Sequence, residues 1–522
     1  MADSGMVQSA RGLRSGSITF VQSTAIGLAS TAPAYSLAAT LGFVVAIVGP
    51  QTLLLVPLAF IPMFFSSWAN KEMNRADPDC GTSFTWAARA LGPRTGWYLG
   101  GWGTIASALL AMASYSQITG QYLFLFVGAK HIGNDATSIW VLLVGLAFIA
   151  GLSYLCYRGI QVSARIQVAL LVLEIILLML MSIVALVKYL TGHAPAGHGT
   201  FSWSWLNPAH FASPSIFMAG MLLMVFVYWG WDTTVSVNEE TADADRIPGT
   251  AGVLSTVILL VTYFMVILSV QLFAGFGSGP VGLGNSNNVN DVLSPLGSAI
   301  FGSSALGTVL ARLLLLMVMS SSAATAMTTI LPNARTTLSM AFHKALPPIF
   351  GRIHPRYLTP TFSTTSFAVV SAVMYLAINW VSGGNVIADS VTACTFFVAI
   401  YLGVTGFACF WWYRKSLLTS QRSFWLQGVF PLLSGIMLFV ILGWSVYYYT
   451  DPDQSYTTWH MPFWPHWTIG GVLSIGIVTA LVGLAWMLSL QRKYREFFSG
   501  ESLREGVSIT EDDRVVQISA DT

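Results

Sequence analysis

The chain has 522 residues, of which 54% are hydrophobic and only 9% charged, with a formal net charge of +2 and a mean hydropathy of +0.67. Soluble domains carry about a quarter of their residues as charges, so this composition excludes a soluble globular protein and describes one that crosses a membrane many times. The near-neutral balance hides an asymmetry of basic residues along the chain and says nothing about nucleic acid, but no long basic patch interleaved with aromatics exists, so no nucleic-acid partner is expected.

Met1 to Arg14 is polar and runs into a full-length apolar segment without an Ala-x-Ala cleavage signal, so the first span is expected to insert rather than be removed. Apolar stretches of about 20 residues, enough to cross roughly 30 Å of hydrocarbon as helix, predict twelve spans. They lie at 18–48, 52–71, 96–127, 137–157, 163–190, 213–236, 251–275, 304–331, 362–381, 387–412, 425–449 and 466–490. Of the 24 lysines and arginines, only Lys130 and Lys188 fall in loops on the side away from the termini, and only Arg312 lies inside a span. By the positive-inside rule both termini are cytoplasmic. Cytoplasmic tails over 1–17 and 491–522 are expected to flank the spans, the latter charged and mobile from Tyr494 to Thr522. The cysteines, Cys80, Cys156, Cys394 and Cys409, are scattered and read as packing residues, and the eight histidines fall in loops or at span ends, so no disulfide framework and no metal site is expected.

Two loops carry more than polarity. Gly81 to Pro93 reads as a short amphipathic helix closed by Gly-Pro, with a plain surface connector as the alternative. A Gly/Asn-rich stretch from Gly277 to Asn290 leads into Val292 to Phe301, a candidate lid over a pathway.

Spans one and six differ from the rest. Span one holds Gly27-Leu28-Ala29-Ser30-Thr31-Ala32-Pro33-Ala34-Tyr35-Ser36 at its midpoint, and span six holds Phe226-Val227-Tyr228-Trp229-Gly230-Trp231-Asp232. A proline without an N–H, and a glycine between two tryptophans followed by a carboxylate, both read as helix breaks. The breaks are five spans apart, so the two helices would run in opposite directions, as inverted repeats of five helices require. Simple kinks between packed helices are the alternative. Lys71, Arg165 and Lys188 at span ends aside, four charges lie within spans: Glu174, Asp232, Arg312 and Asp389. An ionisable group at that depth costs about 3 kcal/mol and usually faces a cavity or a partner.

Ala69 to Phe84 with Arg89-Ala90-Leu91-Gly92-Pro93, then Phe226 to Asp232 with Asn238-Glu239-Glu240-Thr241 and Arg246-Ile247-Pro248, then Ala334-Arg335-Thr336 with Ala345-Leu346-Pro347-Pro348 and His354-Pro355-Arg356, occur in this order. Together they resemble the amino acid, polyamine and organocation superfamily of permeases, over spans one to ten. The resemblance implies an all-α membrane protein with a LeuT-like five-plus-five inverted repeat, broken helices one and six, and two additional helices. Its repeats would cover 18–190 and 213–412, with 425–490 holding the last two spans.

The resemblance implies a secondary transporter in the plasma membrane that works by alternating access and is usually driven by protons. The cargo would be an amino acid, a polyamine or a related amine. Sodium coupling and exchange remain as alternatives, and a non-transporting sensor is a third. Substrate contacts carried over by position are Ser30, Thr31, Ala32, Pro33 and Tyr35, with Tyr228, Trp229, Gly230 and Trp231; spans three, eight and ten would shape the rest. Many relatives place a Gly-Ser-Gly triplet at the first break, whose free amides hold a substrate carboxylate. Here Ser30-Thr31-Ala32-Pro33 stands there, and proline removes one donor, which raises amines in the list.

Asp232 matches the acid that closes the family pattern, with a role in proton sensing or ammonium binding and a helix cap as the alternative. Glu174 lies where some relatives place a lysine that stands in for sodium between spans one, five and eight; a buried ionisable carboxyl there is a candidate proton carrier. Ser320, Ser321 and Ser322 are either part of an ion site or packing hydroxyls. Arg312 and Asp389 could form a gate pair, or snorkel separately. No HExxH, GxSxG or Walker sequence is present, so neither catalytic chemistry nor a cofactor is expected.

Overall fold

The computed structural model describes residues 11–503 apart from 14, 290, 383–385 and 462–463. Residues 1–10 and 504–522 of the expected tails lie outside the described residues. The main helices are α1 (Phe20–Thr31), α2 (Pro33–Val48), α3 (Thr52–Ala76), α4 (Ser83–Leu91), α5 (Gly103–Phe126), α6 (Ile139–Arg158), α7 (Ile160–Leu190) and α8 (Pro214–Tyr228). They continue with α9 (Thr233–Ser236), α10 (Ile247–Ala274), α11 (Leu293–Phe301), α12 (Ala305–Phe342), α13 (Thr361–Ser382), α14 (Val386–Tyr413), α15 (Phe430–Tyr448) and α16 (Gly471–Gln491). Among the described residues nine helical stretches are long and apolar enough to cross a bilayer. The first runs from Phe20 to Ala76 and holds two passes, and α5 with the broken pair α8 and α9 completes twelve.

Position in the bundle follows from how many faces each helix buries. In α14 the apolar window is 83% buried, against 33% in α6, α13, α15 and α16, so α14 is central and those four are peripheral. Helix α5 packs on both α12 and α14, and the lipid-compatible side chains Val172, Ile176, Val369 and Leu481 point outward.

The two breaks have local causes. Helix α1 starts at Thr19, where the threonine side chain accepts from the backbone of Gln22 and the glutamine side chain reciprocates. It stops at Ala32 because Pro33 offers no N–H and disfavours right-handed helix in the residue before it. Ala32 takes φ 49°, a left-handed conformation that costs a non-glycine residue about 1 kcal/mol, and Pro33 then opens α2 at the position where proline fits best. Helix α8 starts at Ser213, whose hydroxyl accepts from Ile216 N at 3.2 Å, with Pro214 following. It ends at Tyr228, Trp229 is extended, and Gly230 adopts φ +125°. Only glycine enters that region freely.

The structure moves several expected boundaries. Helix α12 does not stop at 331 but runs to Phe342 through Pro332. The proline leaves the carbonyl of Thr328 without its helical donor, and Thr233 Oγ1 donates to it at 3.4 Å, so a neighbouring element repairs the defect. The twelfth span starts at Gly471, not at 466, because the preceding residues pair as a two-stranded sheet, β1 (Thr458–Met461) with β2 (Trp464–Gly470). Gly81 to Pro93 does contain a helix, α4, but its Phe84, Trp86 and Ala87 are fully buried in protein. The terminal tail is not mobile throughout: Phe497 is buried and stacks on Phe84 with ring centroids 5.4 Å apart. Within the stretch read as a candidate lid, Leu293–Phe301 forms α11, and the loop before it lies on α2, where a side chain on Gly42 would meet Val289 O at 2.3 Å.

Candidate functional site

The unwound segments of the two broken helices touch. A Cβ on Gly230 would lie 2.5 Å from Ser30 O, so the backbones meet only because residue 230 has none. Ser30 and Thr233 share a hydrogen bond between hydroxyls at 2.7 Å, and Thr325 of α12 donates to Ser30 O at 2.5 Å. Three elements are thereby locked around one point. Beside it lies a small, partly open cavity.

Ser30, Trp229, Gly230, Asp232, Thr233 and Ser236 line the cavity from the breaks. Thr104 and Tyr115 of α5, Thr328, Thr329, Pro332 and Asn333 of α12, and Tyr401 of α14 complete it. Among the described residues Asp232 is its only ionisable acid or base apart from tyrosines, and Tyr401 donates to Asp232 Oδ2 at 2.6 Å. Trp229 Nε1 in turn donates to the Tyr401 oxygen. Asp232 stands at the head of α9 without making a side-chain cap, so the carboxylate is directed to Tyr401 and not to the helix end. On the side toward α2 and α8 the site is roofed by aromatics: Tyr35 meets Tyr115 edge-on at 4.9 Å, and Phe226 lies 6.4 Å from Tyr35 and 6.0 Å from Trp229.

Of the nine substrate contacts expected from sequence, Ser30, Trp229 and Gly230 line the cavity. Thr31 turns back onto Gly27 O, and Tyr228 donates to Val56 O on α3. Trp231 is buried beneath Gly252, and Ala32 and Pro33 form the break itself. Tyr35 contributes to the roof, its hydroxyl 2.5 Å from Ser114 Oγ. The residues that sequence reading missed, Thr104, Tyr115, Thr328, Thr329, Asn333 and Tyr401, come from three distant helices. A signal existed in α12, where Thr328 and Pro332, then Thr329 and Asn333, repeat at a spacing of four and so share a face.

Glu174 lies outside the cavity but against the first break. Its Oε1 accepts from Ala34 N at 2.7 Å and from Ser321 Oγ at 2.8 Å, and Ser321 Oγ accepts from Tyr35 N at 3.3 Å. A carboxylate on free amides at a helix start is a favourable arrangement for both backbone and charge. Ser320 and Ser322 donate to Met317 O and Met319 O in their own helix, and Ser322 also meets Thr119 at 2.6 Å. Arg312 and Asp389 are not brought together. Arg312 is exposed, whereas Asp389 is fully buried with Thr457 Oγ1 at 2.5 Å, and the two make no ion pair among the described residues.

A polar layer closes the bundle at the face that carries the N-terminal segment. Arg335 makes a two-point contact with Glu240 at 2.8 and 3.1 Å, both side chains buried. Arg11 reaches Asp79 at 2.6 Å and Glu239 at 2.7 Å, and His343 Nε2 lies 2.9 Å from Asp79. Burial pushes the Asp79 carboxyl up, but Arg11 and His343 override it and hold the group well below the ordinary carboxylate range. Asp79, Cys80 and Glu239 bring potential metal ligands within 4.8 Å of one another. The guanidinium of Arg11 touches all three, so a cationic group of the chain already neutralises the cluster.

A family model described as amino acid permease matches residues 18–490. Among curated proteins, the chain is 24% identical to the branched-chain amino acid permease BcaP of Bacillus subtilis, over 62% of this chain and 67% of that one. It is also 24% identical to the low-affinity putrescine importer PlaP of Escherichia coli, over 48% of this chain and 53% of the importer, so the chain spans about two thirds and about half of these relatives. Among solved structures, that of MhsT in complex with L-phenylalanine superposes with a TM-score of 0.58 at 16% identity, covering 81% of this chain and 98% of that one. That likeness concerns the fold.

Proposed function

The chain belongs to the amino acid permease family, and on that premise we propose that it is a secondary transporter, not an enzyme, which moves an amino acid or related amine across the plasma membrane by alternating access. The observation that carries this reading is the meeting of two opposed helix breaks at Ser30 and Gly230, beside a cavity with a single carboxylate. Unwound backbone at that depth is tolerated where it is buried in protein or lines a cavity. The face carrying Arg11 is the cytoplasmic one, in keeping with the distribution of basic residues. The two repeats are 18–190 and 213–412.

Ser30, Trp229 and Gly230 contact the cargo in this proposal. Transport is driven by protons, with Asp232 exchanging a proton at the cavity and Glu174 doing so behind the first break. The relatives' names, one a branched-chain amino acid permease and one a putrescine importer, bracket the cargo without selecting it.

Uptake of labelled amino acids and amines into proteoliposomes, with and without an inward proton gradient, tests the proposal. Accumulation that follows the gradient supports it. Binding without uptake would sink the transporter reading, and uptake that follows sodium but ignores the proton gradient would overturn the coupling.

A further inference from the structure

We propose that Glu174 occupies this protein's own carboxylate-binding position, so that the cargo is a cationic amine without an α-carboxylate. The inference rests on the transporter reading above and narrows it.

The start of a helix is the natural seat for a carboxylate, because its first N–H groups lack helical partners and the dipole favours negative charge. Helix α2 starts at the break, and each of its first positions is already used. Pro33 has no N–H. Ala34 N donates to Glu174 Oε1 at 2.7 Å, Tyr35 N to Ser321 Oγ at 3.3 Å, and Ser36 N to Ala32 O at 2.8 Å. Ser321 closes the set by donating to the same Glu174 oxygen. Glu174 is 2% exposed, so this carboxylate belongs to the packed wall. After the second break Thr233, Thr234 and Val235 donate their amides to the Gly230, Trp231 and Asp232 carbonyls.

The cavity has the opposite bias. Asp232 supplies a negative charge and no lysine, arginine or histidine lines the site among the described residues. Asn333, 3% exposed and part of the same wall, has an Oδ1 without a hydrogen-bond partner among the described residues, an acceptor open to a donor group. Trp229, Tyr115 and Tyr401 complete an aromatic lining of the kind that favours ammonium groups. An amine meets acceptors and rings here. A zwitterion would bring a second carboxylate beside Asp232 with no cationic side chain in the lining to receive it, and unpaired charge at low dielectric is costly.

The test uses pairs that differ only in the α-carboxylate: putrescine and ornithine, cadaverine and lysine, 3-methylbutylamine and leucine, phenethylamine and phenylalanine. Their affinities for the purified full chain are measured by thermal shift and by competition binding. The amine of the tightest-binding pair is expected to bind at least about tenfold better than its amino acid, the loss set by an unmet charged hydrogen bond. Equal or tighter binding of the amino acid overturns the inference and leaves the transporter reading standing; binding of no compound overturns both. Glu174→Ala frees Ala34 N and is expected to narrow the ratio to about threefold or less, as is Ser321→Ala, which frees Tyr35 N. Glu174→Gln still accepts from Ala34 and should retain the ratio. If Glu174→Ala melts like the parent yet keeps the parent's ratio, Glu174 is not the determinant and the proposal fails. Should Glu174→Ala not fold, Ser321→Ala and the parent's own pairs decide.

Discussion

Asp232 and Glu174 are both carboxyls beside the helix breaks, yet their surroundings differ. Asp232 faces a cavity and is held by Tyr401, whereas Glu174 accepts from the Ala34 amide and from Ser321. Asparagine at 232 keeps an oxygen for the Tyr401 hydroxyl but removes the titrating charge. Asp232→Asn is therefore expected to lose at least about 90% of gradient-driven accumulation while remaining folded, read as uptake with and without the proton gradient; unchanged accumulation would refute its role. Glutamine at 174 likewise keeps the acceptor and removes the titration. Its uptake should vary little with pH across the range where the parent's varies, and a profile superimposable on the parent's counts against Glu174 as a proton carrier.

The broken helices are elements that cannot stand alone. Each exposes backbone groups at a depth where water is scarce, and each is repaired by another element: α7 and α12 supply Glu174 and Ser321 to the start of α2, and α9 supplies Thr233 to the carbonyl freed by Pro332. Gly230→Ala tests the contact between them. The added methyl would lie 2.5 Å from Ser30 O in a residue at φ +125°, a strained conformation costing about 1–3 kcal/mol. A lower melting temperature together with lost ligand binding is expected; a variant that binds normally would show that the two breaks need not touch. Thr233→Val should cost about 1 kcal/mol by removing the donor to Thr328 O, measured by thermal or denaturant melting.

Across the whole molecule, the cavity lies between an aromatic roof and a polar floor. The floor joins four separate parts of the chain, with Arg11 bound to Asp79 and Glu239, and Arg335 to Glu240. Cys80 is buried under it, which makes alkylation of Cys80 a reporter of opening. Arg11→Ala is expected to accelerate that alkylation several-fold, and an unchanged rate would argue that the floor does not depend on Arg11. Because the Asp79 carboxyl is held below its ordinary range, its contribution to stability is complete above the unfolded value of about 3.9. It is lost only as pH falls through the lower folded value. The floor's stability should thus be flat from neutrality to about pH 5, and Asp79→Asn should remove the loss seen in stronger acid.

Much of this protein was legible in the sequence because the bilayer imposes one-dimensional rules. Apolar length announces a span, a proline or glycine within it announces a break, and a charge within it announces a cavity or partner, so twelve passes and the paired breaks at Pro33 and Gly230 could be read residue by residue. What the sequence could not supply was convergence. The continuation of α12 through Pro332 depended on a hydroxyl from α9, and the pairing of β1 with β2 displaced the start of α16 because ladder partners are set by contact and not by hydropathy. Tyr401, Tyr115 and Asn333 became site residues only when three helices met. Glu174, an isolated charge in the sequence, found a partner in the Ala34 amide 140 positions away, since which helix start lies opposite a buried carboxylate is decided by packing alone.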